Sequence, residues 1–261
     1  MSFTAKDVQA LRQATGAGMM DAKRALEESG GDFDAAAKSL REKGLAKSVD
    51  RADRENTQGA VAVGRTDGVA AIVELKCETD FVAKSDQFLA VLDDLLASVL
   101  ADGSVDAEKG RVDDLKVTLK ENIDVGRVAR VDITPGQAVD TYLHKQEGRG
   151  VNAVIVVLEG GDDALAHEVA VSAAFSKPKY LRRDEVPEAE AAEERETLVG
   201  ITRAEGKPEQ AIDKIVEGRL NAWYKDQVLL EQPYAKDDKQ SITQLLGDAT
   251  IAQFAQVYIG S

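Results

Sequence analysis

The chain has 261 residues, of which 43% are hydrophobic and only 5% aromatic, enough for one or two cores built mainly of Ala, Val, Leu and Ile. Its formal net charge of −14 argues against nucleic acid as the main ligand, because phosphate binding needs a basic surface. Cys77 is the single cysteine, so no internal disulfide can form; with no basic leader and no run near ~20 apolar residues, a cytoplasmic protein without a membrane span is expected.

Residues 1–54 read as three short helices with tight turns. Thr4 and Asp7 have the spacing of a capping box, which opens a helix running to Ala14. Thr15-Gly16-Ala17-Gly18 breaks it. The helical pattern resumes over 19–29, with Met20, Ala25 and Leu26 as expected core contacts, and Gly30-Gly31 stops it. Asp32 caps a third helix whose inner face is Phe33, Ala36, Ala37 and Leu40. This segment holds 10 Lys/Arg against 9 Asp/Glu, so the acidic excess lies in the remainder of the chain. Residues 45–58 are charged and weakly apolar, which suits a linker, helical in part.

From Gly59 the period changes from helix to strand. Val61 and Val63, then the run 69–75, flank Thr66-Asp67-Gly68, a hairpin signature. Phe88, Leu89, Leu92, Leu95, Leu96 and Val99 then recur at helical spacing. The same order returns further along: Tyr142, a polar turn, Gly150, the apolar run 151–158 and an Ala-rich helix over 162–175. A shift of 82 residues lays Gly68-Val69 on Gly150-Val151, so the body reads as two copies of a hairpin-plus-helix unit. Residues 187–230 read as an antiparallel helical hairpin divided at Gly206-Lys207-Pro208, with Ile212, Ile215, Val216, Leu220 and Trp223 on one face of its second arm. The final run, 251–259, alternates like a strand that rejoins the body's sheet. The expected class is α+β: a three-helix bundle with linker at 1–54, a core subdomain at 55–140, a second formed by 141–186 and 231–261, and the helical hairpin at 187–230.

Catalytic signatures fail one by one. Gly148-Arg149-Gly150-Val151-Asn152-Ala153 matches a dinucleotide-binding string, but it precedes a strand where that motif must follow one. The stretch 200–207 has five residues between its glycines where a phosphate-binding loop has four, and Pro208 replaces the magnesium-binding hydroxyl. His144, His167 and Cys77 have no metal-ligand spacing, and no Ser or Cys sits in a nucleophile motif. The remaining classes are a binding protein, a small-module adaptor, or an acidic enzyme whose carboxylate site the spacing does not name.

Three strings carry a family resemblance. The first is Leu11-Arg12 with Thr15-Gly16-Ala17-Gly18-Met19-Met20-Asp21-Ala22-Lys23. The second is Cys77-Glu78-Thr79-Asp80-Phe81-Val82-Ala83. The third is Val216-Glu217-Gly218-Arg219-Leu220, followed by Glu231-Gln232-Pro233-Tyr234. In this order and spacing they resemble the elongation factor Ts family over nearly the whole chain. The resemblance implies a non-enzymatic guanine nucleotide exchange factor for elongation factor Tu, with no cofactor, no metal of its own and no direct nucleotide binding. It also implies an N-terminal bundle similar to a ubiquitin-associated fold that docks on the partner's GTPase domain, two similar core subdomains, and a helical hairpin protruding as a coiled coil. The segment 79–83 (Thr79, Asp80, Phe81, Val82, Ala83) would enter the partner near its nucleotide site and disturb the bound magnesium ion. Leu11, Arg12, Met19 and Met20 would supply the N-terminal contact, and His144 a contact from the second subdomain. Some members carry a C-terminal extension that also touches the partner; the sequence stops soon after Phe254, so that contact is not expected.

On the residues alone, each of these positions has a second reading. Phe81 in its polar stretch is either a plug for its own core, with Asp80 an ordinary helix cap, or an anchor for another protein's pocket. Adjacent methionines cannot both face one core, so one of Met19 and Met20 is expected inside and the other free for a partner. Arg12 is otherwise solvated surface, and His144 a strand-end surface histidine.

Overall fold

The computed structural model describes residues 3–260, and its first helix opens on the expected box. In α1 (Ala5–Thr15) the Thr4 hydroxyl accepts from Asp7 N–H while the Asp7 carboxylate accepts from Thr4 N–H. Gly16, in the left-handed region at φ 65°, ends it, and α2 (Met19–Glu28) and α3 (Phe33–Val49) follow. Val8, Leu11, Ala22, Ala25, Leu26, Ala36 and Leu40 form the bundle's core. Two expectations change here. Met20 lies outside that core, because Ala22, Ala25 and Leu26 set the buried stripe and Met20 faces away from it. Phe33, in the first turn of α3, is 37% exposed instead of facing inward. Residues 45–49, in the stretch read as a partly helical linker, are the last part of α3.

The end of α3 is held by long-range contacts that local composition does not encode. It packs on α6 (Lys109–Leu119), where a Cβ at Gly44 would lie 2.5 Å from a Val117 methyl, so only glycine allows the approach. Arg41 pairs with Asp114 at 2.6 Å, and the Arg51 guanidinium donates to the Lys116 carbonyl at 2.9 Å.

Strands β1 (Gln58–Arg65) and β2 (Val69–Cys77) form the expected antiparallel hairpin, with Gln58 opposite Cys77 and Arg65 opposite Ala70. The one-turn helix α4 (Asp80–Ala83) and the long α5 (Asp86–Asp102) come next. The chain then forms α6 and β3 (Asp124–Asp132), which pairs antiparallel with β2, giving a sheet of order β1-β2-β3. Phe88, Val91, Leu92, Leu95 and Val99 of α5 pack against Ala60, Ala62, Ala71, Val73 and Leu75. The buried Glu74 carboxylate sits at a register shift in the β2–β3 ladder and accepts from Arg127 N–H at 2.9 Å, so the polar group is satisfied.

A second hairpin, β4 (Ala138–Gln146) and β5 (Arg149–Glu159), turns at Glu147 and Gly148, both at positive φ as a two-residue primed turn requires. Helix α7 (Asp163–Ser176) follows, capped by Asp162. The helical hairpin is α8 (Glu188–Ala204) and α9 (Glu209–Gln227), held by Leu198, Ile212 and Val216 with Val199 and Leu220 beside them. Gly206 at φ 72° makes its turn. Short strands β6 (Pro233–Tyr234) and β7 (Asp237–Ser241) and the one-turn α10 (Ile242–Leu246) lead into β8 (Thr250–Tyr258), which joins the second sheet in the order β4-β5-β8. Val154, Val156 and Leu158 of that sheet pack on Ala166, Val169 and Ala170 of α7. Both sheets thus consist of a hairpin plus a later third strand beside its second strand. The described chain forms two compact units: 3–132 with 143–153 and 257–260, and 133–142 with 154–256.

Candidate protein-docking site

The segment after β2 cannot continue as strand, because Thr79 caps a helical turn: its hydroxyl accepts from Val82 N–H at 3.3 Å. At about 100° per residue, a turn that points Ala83 inward must point Phe81 outward. Ala83 is fully buried in the β1–β2–α5 core and Val82 is packed against it, while Phe81 is 80% exposed. Phe81 therefore does not plug its own core. Nor is Asp80 the cap; Thr79 has that role, and Asp80 turns to Lys84 one helical turn on.

Lys84 organises the surface around the ring. Its ammonium lies 2.6 Å from Asp80 Oδ2, 2.8 Å from Glu147 Oε2 and 5.7 Å from the centre of the Phe81 ring. The hydrogen bond from Lys84 holds the Asp80 carboxyl below its ordinary value, and the Asp80 and Glu147 carboxylates push the Lys84 ammonium up. Glu147 is at the tip of the β4–β5 hairpin, so the clamp ties α4 to the hairpin whose exposed His144 was a sequence candidate. His144 lies within β4 near its end, three residues before that tip. The hairpin itself is seated on β1: the Arg149 guanidinium donates to the Gly59 carbonyl and to Gln58 Oε1.

Behind α4, Cys77 is buried, and its Sγ–H donates to the Thr79 carbonyl at 3.2 Å. Desolvation, then the Glu121 carboxylate, pushes this thiol up to about 12. It is a neutral core group and no nucleophile at neutral pH. Glu121, from the turn after α6, accepts three hydrogen bonds from Glu78 and Thr79.

The other candidates lie on the N-terminal bundle. Arg12 is exposed on α1. Met19 and Met20 open α2, 49% and 67% exposed, so neither methionine is the core residue expected of the pair. Leu11 is fully buried among Val8, Ala22 and Leu26, as Ala83 is in the β1–β2–α5 core. Glu147 and Glu121 had no signal in the sequence, since their partners lie 63 and 42 residues away, beyond any helical or strand period. Lys84 stands one helical turn from Asp80, a spacing the sequence shows, whereas its tie to Glu147 is not visible there.

Among the described residues no group of three or more His, Cys, Asp or Glu could hold a metal ion, and no helix is long and apolar enough to cross a membrane. The exposed apolar side chains include a large ring displayed on a clamped helical turn and two methionines that open a helix of the N-terminal bundle. The family model described as Elongation factor TS matches residues 78–261. The Elongation factor Ts of Micrococcus luteus is 41% identical over 100% of this chain and 99% of its own length. That of Kineococcus radiotolerans is 42% identical over 100% and 99%, and that of Mycobacterium ulcerans 42% over 99% and 98%. The chain belongs to the elongation factor Ts family of translation elongation factors.

Proposed function

We propose that this protein is a guanine nucleotide exchange factor that binds elongation factor Tu carrying GDP, disturbs its magnesium site and promotes GDP release. The observation that carries the reading is Phe81, a ring left 80% exposed on a turn whose next two residues anchor it in the core. Burying such a ring in a partner's pocket stabilises a complex by roughly 1.5–3 kcal/mol, enough to favour one partner conformation over another.

The mechanism needs no bond-making and no cofactor of the protein's own. Tight nucleotide binding in GTPases depends on magnesium bridging phosphate oxygens and on backbone amides around the phosphates. Phe81 enters a hydrophobic pocket near that site, flanked by Thr79, Asp80 and Val82, and the magnesium ligands shift. The protein then holds the nucleotide-free conformation more tightly than the loaded one. By linkage, nucleotide weakens its grip by the same factor, so GTP entering the empty site displaces it. Arg12, Met19 and Met20 dock the N-terminal bundle on the GTPase domain, and His144 adds a contact from the second hairpin. On this reading 1–54 is the docking module, 55–140 carries the wedge, 141–186 with 231–261 forms the second subdomain, and 187–230 is the protruding hairpin. Nucleotide, nucleic acid and membrane are not ligands, and the work is done in the cytoplasm.

The direct test loads elongation factor Tu with fluorescent GDP and mixes it with this protein and excess unlabelled nucleotide. Release accelerates in proportion to the protein added until it saturates. Release at the spontaneous rate would contradict the reading.

A further inference from the structure

We propose that Glu121 is a positioning residue for Phe81, fixing where α4 begins and which way its ring points; the proposal rests on the reading of Phe81 as the wedge. Glu121 Oε2 accepts from the backbone N–H of Glu78 at 3.0 Å and of Thr79 at 3.1 Å, and Oε1 accepts from the Thr79 hydroxyl at 2.6 Å. The same hydroxyl oxygen accepts from Val82 N–H, which closes the helical turn. A threonine hydroxyl has one proton to give. With that proton committed to Glu121, a lone pair is left aimed at Val82. Remove the carboxylate and the hydroxyl is free to rotate, so the cap becomes one option among several.

The lacing continues behind this point. Glu78 Oε1 accepts from Asn122 N–H at 2.7 Å, and Asn122 Nδ2 donates to the carbonyls of Ala52 at 3.0 Å and Arg54 at 2.7 Å. Adjacent residues of the turn after α6 therefore fasten the entry to α4 on one side and the segment leaving α3 on the other. Helix α4 has four residues, too few to hold its own direction in water. Only Val82 and Ala83 tether it to the core, while the residue that must arrive in the partner's pocket is outside. A group that acts by insertion has to be held to about 0.5 Å, and supporting hydrogen bonds are what hold it. Glu121 supplies three of them to this one turn.

The test measures maximal stimulated release of fluorescent GDP from elongation factor Tu, and the half-saturating concentration, for the full-length protein and its variants. For Glu121→Ala the maximal rate falls about tenfold while half-saturation stays within about twofold, since the docking surfaces are untouched. Glu121→Gln keeps one acceptor oxygen for the two amides but turns an NH2 donor towards the Thr79 hydroxyl, so it holds the entry to α4 without taking the hydroxyl proton and recovers only part of the loss. Should Glu121→Ala not fold, Thr79→Val removes the Oε1 contact from the other side and shows the same slow release. A folded Glu121→Ala, or in its place Thr79→Val, that releases GDP at the parent's rate while Phe81→Ala is slow overturns the positioning role. A raised half-saturation with an unchanged maximal rate also overturns it. Parent rates in both Glu121→Ala and Phe81→Ala would instead overturn the wedge reading beneath it.

Discussion

Asp80 and Lys84 show how a solvent-facing ion pair can matter through geometry more than through energy. Exposed pairs contribute little to stability, so their worth here is to hold the turn that displays Phe81 and to tie it to the Glu147 hairpin. Asp80 is depressed below its ordinary value of 3.8, so its contribution is present above that pH and is lost as pH falls through the lower folded value. Lys84 is raised above 10.5, so its contribution is present below that pH and is lost as pH rises through the higher folded value. The Asp80–Lys84 pair is therefore charged on both sides between the two ordinary values, 3.8 and 10.5. Titration of the Asp80 carboxyl by NMR should give a midpoint below 3.8, returning towards the ordinary value in Lys84→Ala. A midpoint at or above 3.8 in the parent protein would mean the pair does not form in solution. Asp80 and Lys84 stand at the i,i+4 spacing of a helical pair, but Glu147 could not be singled out from sequence, because an ion pair spanning 63 residues leaves no periodic trace. Phe81 was legible as an oddity, a ring in a polar stretch, but only its exposure separates anchor from plug.

Among the elements, those with their own punctuation were legible. The Thr4–Asp7 box, the Asp32 cap, the Ala-rich run from 162, the turn at 66–68 and the break at 206–208 each mark a boundary near where the structure has one. Helix α6 and strand β3 have no such marks. Only Val112 and Leu115 of α6 are buried, β3 alternates arginines with valines, and both are defined by what they pack against. Tertiary approach is equally silent in sequence, and Gly150 shows it best. A Cβ there would lie 2.2 Å from the Val61 carbonyl oxygen and 2.7 Å from a Leu143 methyl, although its φ is not one that demands glycine. The glycine is there for closeness, and its position just past the β4–β5 turn lets the hairpin tip seat on β1. Gly150→Ala is expected to destabilise the protein by about 1–3 kcal/mol through overpacking. Thermal unfolding should drop by several degrees, at ~2–4 °C per kcal/mol for a chain of this size. An unchanged midpoint would show that the hairpin yields freely.

For the molecule as a whole, the sequence carries the α+β class and the echo of one hairpin-plus-helix unit in another, because hydrophobic period and turn chemistry survive in composition. Why the charged stretch after α3 is ordered is not legible, since Arg41 and Arg51 reach across to α6 and Asn122, far along the chain, holds the Ala52 and Arg54 carbonyls. Cys77 offers a probe of that order. Its thiol is buried and pushed up to about 12, so thiol-specific reagents around pH 8 should leave it untouched until the β1–β2–α5 core opens. Its modification rate should rise with denaturant in step with loss of helical circular dichroism. Rapid reaction in the native protein would show that the core behind α4 breathes independently.

The exchange account stands on a ring that is idle in the free protein and acts in the complex, which stopped-flow release of fluorescent GDP from elongation factor Tu measures most directly. Phe81→Ala should fold like the parent, with unfolding free energy within about 0.5 kcal/mol, because an exposed side chain contributes little to its own fold. It should lose roughly 2 kcal/mol of the stimulated release, about a thirtyfold slower rate at limiting protein. A Phe81→Ala protein that is folded and still releases GDP as fast as the parent would contradict the account.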